Sequence, residues 1–274
     1  MQSFIRTLLA EARKQHHVYF HGPLVYFSVF VWPLLELVTA YYLYQPFTAD
    51  GANVARLERV VGSSSLTGFL VIGFLGYNFF FSLIQSAWRF TYERTDGTLE
   101  LILLTPANRF AIILGNAAAA LLESVWLLTV FVIATFFVLP DVWRDANLWL
   151  LPFGLLTLTL AAIAWGALLN SLFLLTRDAG FFYTILQEPL SFFGGVRLPI
   201  GLFADWMLVI SYALPLTYCL IILRKIALNR AMLQDIGLEV AALAGLVALM
   251  LAASYFLLGY AERRAKRTGT LSLF

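Results

Sequence analysis

Five apolar runs govern what this chain can fold into: residues 24–44, 66–88, 110–139, 148–176 and 240–260, each at least 20 residues long and carrying between them only two charges, Glu36 and Glu123. About 20 apolar residues in a helix cross the hydrocarbon core of a bilayer. Inside lipid no water is present to satisfy backbone N–H and C=O groups, so a run of this length must close its hydrogen bonds upon itself as a helix. Over the whole chain 61% of residues are hydrophobic and 12% charged. Soluble domains carry about 25% charge, so the solvent of this chain is lipid. The expected fold class is therefore an all-α integral membrane protein forming one transmembrane domain over residues 1–274.

The stretch 180–223 is harder to divide. Residues 180–196 form a short apolar segment containing Glu188 and ending before Arg197 and Pro199, and a second apolar run is broken by Pro215. Counting one full span here gives six, counting two gives seven. Lysine and arginine bias toward the cytoplasmic side arbitrates. With six spans and both termini inside, eleven of the 18 Lys and Arg residues lie in inner segments and seven in outer ones. The basic run 262–267 directly after the last span would lie outside under seven. The reading is six spans at 24–44, 66–88, 110–139, 148–176, 180–196 and 240–260, with residues 197–225 dipping into the outer leaflet and returning. Irregular backbone around Gly194-Gly195 and Pro199 is tolerated at membrane depth where protein or a water-filled cavity buries it.

Residues 1–23 mix Arg6, Glu11, Arg13 and Lys14 with Phe4, Ile5, Leu8, Leu9 and Ala12 at helical spacing, which reads as an interfacial helix on the cytoplasmic leaflet and not as a signal peptide. The single cysteine, Cys219, gives no disulfide framework. A net charge of +2 does not point to nucleic acid.

Between the second and third spans the chain reads Glu93-Arg94-Thr95-Asp96-Gly97-Thr98-Leu99-Glu100, then Thr105-Pro106 and Arg109. Thr95 or Asp96 can cap a short helix with Leu99, Ile102 and Leu103 on one face, and Pro106 stops it. Such a helix fits a groove on a soluble partner; an ordinary charged intracellular loop is the plainer alternative.

The wording of this loop, with Gly115 in the next span, resembles the permease subunits of type-2 ABC exporters, as do Gly194-Gly195 with Pro199 and Leu214-Pro215-Leu216-Thr217 followed by Arg224. The likeness covers essentially the whole chain. It implies that 93–106 is a coupling helix region and that the Arg177-Asp178 turn also meets the ATPase. It further implies an outer gate built around Pro199, Pro215, Thr217 and Arg224, and alternating access between inward- and outward-open states. The implied partners are two copies of a separate ABC ATPase subunit and a second permease subunit, as a homodimer. No Gly-x-x-x-x-Gly-Lys-Ser/Thr loop occurs here, so ATP and Mg would be bound by the partner, and the chain itself is not expected to be an enzyme. The implied location is a prokaryotic inner membrane, with both termini cytoplasmic.

An ionised carboxylate at the centre of a membrane costs about 2.5 kcal/mol or more on insertion scales, so Glu36, Glu123 and Glu188 each need a reason. They could form the proton relay of a secondary transporter, or be protonated or hydrogen-bonded packing groups with Asn170, Tyr77, Asn78 or Thr159 as partners. His17 and His21 stand four apart, which suits a metal or, more simply, an interfacial face with no third ligand nearby. Tyr77, Asn78 and Phe81 on the second span and Phe192-Phe193 on the fifth, with Glu123 and Glu188, are candidates for the substrate path; interfacial belts and packing are the alternative. Arg224 and Lys225 would bind headgroups or close the outer gate.

Among type-2 exporters the polysaccharide branch shares Trp32-Pro33, but its usual basic Tyr/Ser-Leu-Gly-x-x-Trp approach to the first span is missing here. The 93–100 run is closer to the drug and nodulation-factor exporters. The expected cargo is a hydrophobic or amphiphilic small molecule such as a drug, an antibiotic or a lipid-like compound. A lipid-linked polysaccharide or teichoic acid is the alternative.

Overall fold

A computed structural model describes residues 2–19, 22–48, 66–95, 109–173 and 179–268, and every regular element among them is helical. The α-helices are α1 (Gln2–Tyr19), α2 (Pro23–Thr48), α3 (Leu66–Thr95), α4 (Arg109–Val138), α5 (Leu151–Phe173), α6 (Ala179–Phe193), α7 (Asp205–Tyr212), α8 (Pro215–Leu228) and α9 (Gly237–Thr268). Short 3-10 turns at Pro140–Trp143, Ile200–Leu202 and Leu233–Ile236 join them.

Helix α3 is the axis of the bundle. It packs against α2, α4, α5, α6 and α8, and residues 68–77 are buried without interruption. A helix apolar on all sides is stable only when neighbours cover it all round, which is what this segment has. Phe74, Phe80, Leu70 and Val71 on α3 meet Leu158 on α5 and Leu216, Leu220, Ile222 and Leu223 on α8 in one continuous core. At the periphery, α9 leans chiefly on α5 and α8 and leaves Leu238, Leu249, Tyr255 and Phe256 exposed. Lipid is the expected solvent for such a face.

Hydroxyl pairs join neighbouring helices within this apolar body. Ser82 on α3 and Ser124 on α4 lie 2.6 Å apart, and Ser171 on α5 and Ser254 on α9 lie 2.7 Å apart. In each pair one hydroxyl donates to the other, and the accepting hydroxyl keeps its own proton for a main-chain carbonyl within reach, that of Phe79 or Ala120 in the first pair and that of Ala167 in the second, so small polar side chains link helices without leaving an unmet group in a dry interior.

Among the described residues, four helices contain stretches long and apolar enough to cross a membrane: Leu66–Ile84, Ala118–Val138, Leu151–Leu169 and Leu233–Leu257. The number rises to five if α7 and α8, which meet at 89°, are taken as one broken span. Six spans read from the sequence go beyond this count. The described apolar stretch of α2 is the shorter Leu34–Leu43, and α6 is only 15 residues long with Pro189 inside it. Pro189 cannot donate to the carbonyl a turn behind, and α6 stops one turn later. The corner between α7 and α8 has a local cause as well: Pro215 occupies the first turn of α8, where its missing N–H is harmless, and Leu214 before it is extended. Across that corner the Thr217 hydroxyl donates to the carbonyl of Ser211 at 2.6 Å.

Helix α1 packs lengthwise along the first half of α4 and not on lipid alone. Gly115 permits this contact. A Cβ there would meet Glu11 Cβ and the Leu8 carbonyl at 2.7 Å, closer than such atoms approach.

Candidate functional site

The polar groups that matter gather at two ends of the bundle. At the end where α3 begins and α8 closes, Arg224 turns its guanidinium inward. Its Nη1 donates to the carbonyl of Gly195 at 2.8 Å, its Nη2 to the carbonyls of Val196 at 3.0 Å and Phe69 at 3.2 Å, and its Nε to Phe69 at 3.4 Å. The guanidinium plane also lies 3.5 Å from the centre of the Phe69 ring, within cation–π range. Residues 194–196 follow the end of α6, so their carbonyls have no helical successor to bond them. Arg224 supplies the missing donors and pins this turn against α3. The close approach depends on Gly73, where a Cβ would strike both the Val196 carbonyl and Arg224 Nη2. A headgroup-binding Arg224, one of the two roles read from the sequence, does not fit a guanidinium already bonded to three internal carbonyls. Its neighbour Lys225 is engaged too, donating to Glu239 Oε1 at 2.8 Å and to the Asp235 carbonyl at 3.0 Å.

One to two turns along α3 lies a second group. Glu36 on α2 receives the indole N–H of Trp32 at 3.2 Å and faces Arg197 Nη2 at 3.7 Å. Arg197 in turn stands 5.8 Å from the Phe74 ring, and its Nε is buried with no hydrogen-bond partner among the described residues. Tyr77 donates to the Gln187 carbonyl at 3.5 Å and stacks on Phe81 with ring centres 5.5 Å apart. Glu188, next to Gln187, is exposed and acts electrostatically on both Glu36 and Tyr77. Farther along α6, Phe192 stacks on Phe203 at 5.5 Å, and Phe193 meets Trp206 edge-on at 6.4 Å. The candidates Tyr77, Phe81, Glu188, Phe192 and Phe193 thus border the α3–α6 side of the molecule.

Asn78 and Glu123 do not join that group. Asn78 donates to the Phe74 carbonyl of its own helix at 2.8 Å, as Thr159 does to Leu155, so neither serves the carboxylates through these bonds. Glu123 lies in the α1–α4 contact, where its Oε1 is 3.9 Å from His16 Nδ1. Two of the three membrane acids therefore have basic groups beside them, Arg197 and His16; the sequence reading counted Arg197 only as an outer charge and did not pair either base with an acid. Matching each intramembrane acid to a cation near a span end would have raised both. The region around residues 197–203 also holds Pro199, which precedes the 3-10 turn Ile200–Leu202 in extended conformation.

At the other end, Glu93, Arg94 and Thr95 close α3. Asp96, Gly97, Thr98, Leu99, Glu100, Thr105 and Pro106, and the Arg177-Asp178 pair, lie outside the described residues, as does His21. Among the described residues no group of three or more His, Cys, Asp or Glu side chains stands ready to hold a metal. Cys219 is buried, with its Sγ 3.8 Å from the Thr157 carbonyl.

No curated protein matches the chain. A family model, ABC-2 type transporter, matches residues 7–228, from α1 through the last turn of α8. That span takes in most of α1, the central α3 with its exit at Glu93–Thr95, and the Arg224 brace. Permeases of this family are membrane subunits for transport, typically working with an ATPase subunit. With most of its length matched and an all-helical apolar body, the chain belongs to the ABC-2 type transporter family.

Proposed function

We propose that this chain is the permease of an ATP-driven exporter that moves a hydrophobic or amphiphilic small molecule out of the cell, powered by two copies of a separate ATPase. Two permease copies alternate between inward- and outward-open states, a rigid-body change of the kind used in alternating access. The ATPase presses on the 93–106 segment, at the exit of α3, and on Arg177-Asp178. Because α3 contacts α2, α4, α5, α6 and α8, a push at its Glu93–Thr95 end reaches nearly every element of the body.

The observation that carries the reading is the family match over residues 7–228. The cargo class is supported by the α3–α6 side, where the Tyr77–Phe81 stack and the Phe192–Phe203 stack adjoin the polar group of Glu36, Arg197 and Glu188. Apolar rings with a few polar groups suit an amphiphile.

The test is reconstitution of the permease with its ATPase in proteoliposomes. Transport should require ATP hydrolysis, and Glu93→Ala or Gly97→Pro should lower transport per ATP while leaving insertion and assembly intact. Movement of cargo by the purified permease on a proton gradient, without ATPase or ATP, would overturn the proposal in favour of a secondary transporter.

A further inference from the structure

Where α1 lies along α4, the two helices leave a groove of about 640 Å³ between them. Leu9, Ala12, Ala119, Leu122 and Trp126 line it, together with the exposed Arg13. That volume falls within the range of about 300–1,000 Å³ typical of small-molecule sites. The charges around it are unevenly committed. Lys14 Nζ is 2.8 Å from Glu11 Oε1, and His16 faces Glu123. Arg13 is exposed, and no carboxylate among the described residues pairs with it.

An apolar trough with one exposed, uncommitted cation in its lining has the polarity of an anionic lipid: acyl chain on the apolar side chains, phosphate on the cation. A water-soluble anion would gain nothing from Leu9, Leu122 and Trp126. A zwitterionic lipid would bring a second positive charge to Arg13. The position agrees, because an amphipathic helix beside a span end sits where headgroups meet acyl chains. Glu123, on the groove wall near His16, keeps an anionic headgroup from that end and so sets its orientation. We propose that the α1–α4 groove binds an anionic phospholipid of the membrane, with its phosphate on Arg13 and an acyl chain along Leu9, Leu122 and Trp126.

Trp126 provides the readout, since bromine-labelled acyl chains quench indole fluorescence on contact. The full-length chain in mixed micelles is titrated with brominated phosphatidylglycerol and, separately, brominated phosphatidylcholine, alongside Trp126→Phe to isolate the Trp126 signal. Phosphatidylglycerol should quench that signal at about fivefold lower mole fraction than phosphatidylcholine, the preference expected of one cation at a membrane surface. Arg13→Gln should abolish the preference and Arg13→Lys retain it; both exchange an exposed side chain, and an unchanged elution volume checks the fold. Equal quenching by the two lipids, or a preference that survives Arg13→Gln, would overturn the site. Neither ATPase nor cargo enters the measurement, so its failure leaves the export reading untouched.

Discussion

Two arginines in the same part of the bundle are held in opposite ways. Arg224 makes four hydrogen bonds to three backbone carbonyls and lies over an aromatic ring. Among the described residues, Arg197 has a single carboxylate neighbour at 3.7 Å and a buried Nε without a partner. A cation surrounded by carbonyls that cannot move far is a fixed part of the framework. A cation facing a flexible carboxylate beyond ordinary hydrogen-bond distance can change partner at little cost. The contrast separates a cation that holds the fold from one that is free to change partner.

Removing Arg224 should produce the largest effect. Arg224→Leu leaves the carbonyls of Gly195 and Val196 without their side-chain donor in an apolar setting, at about 1–3 kcal/mol for each group that stays unmet, and takes a second donor from the Phe69 carbonyl, which lies within helix α3. Reversible unfolding in detergent should register a loss of about 3 kcal/mol or more, and a wild-type midpoint would erase the contrast. Gly73→Ala attacks the same brace from α3, by crowding, with an expected loss of about 1–3 kcal/mol in that assay. If the protein instead gains stability, Arg224 and the Val196 carbonyl leave room for a methyl group at Gly73.

Arg197 should behave differently. Its pair with Glu36 is partly exposed, so Arg197→Gln or Glu36→Gln is expected to change stability by less than about 1 kcal/mol. Cargo transport by the reconstituted complex should nevertheless fall in both variants. A large stability loss with unchanged transport per folded molecule would make Arg197 a second framework cation. The smallest effect belongs to the hydroxyl pairs: Ser171→Ala removes the link to Ser254 and should cost about 0.6 kcal/mol, the average for one interhelical hydrogen bond in a membrane. A loss several times larger would mean that α9 depends on this contact and not on its apolar packing.

What the sequence revealed followed from how local each signal was. The runs 66–88, 110–139, 148–176 and 240–260 announce themselves because lipid demands long uninterrupted apolar stretches, and the four helices that meet the length test fall within or beside them. Gly115 was visible as a point of family likeness, but only the packing of α1 on α4 gives its lack of a Cβ a purpose. The partners of Glu36 and Glu123 were hidden because Arg197 and His16 are more than 100 residues from them in the chain, and such pairings leave no periodic trace. Arg224 was legible as a residue, yet its role was not, since its acceptors are main-chain atoms that any sequence would supply. The right angle between α7 and α8 was foreshadowed by Pro215, while the lateral course of α7 depends on contacts that only the fold creates.

That right angle has a mechanical consequence. With Thr217 tied to Ser211 across the inside of the corner, the two helices form a braced bracket, and α8 is clamped in turn between α3 and α5. The other arm, Asp205–Tyr212, is about 12 Å long at 1.5 Å per residue and meets Phe193 of α6 through Trp206. Any tilt of the clamped limb is passed to the arm's tip undiminished, so a rotation of about 10° sweeps exposed Trp206 sideways by roughly 2 Å, with no bending at the joint.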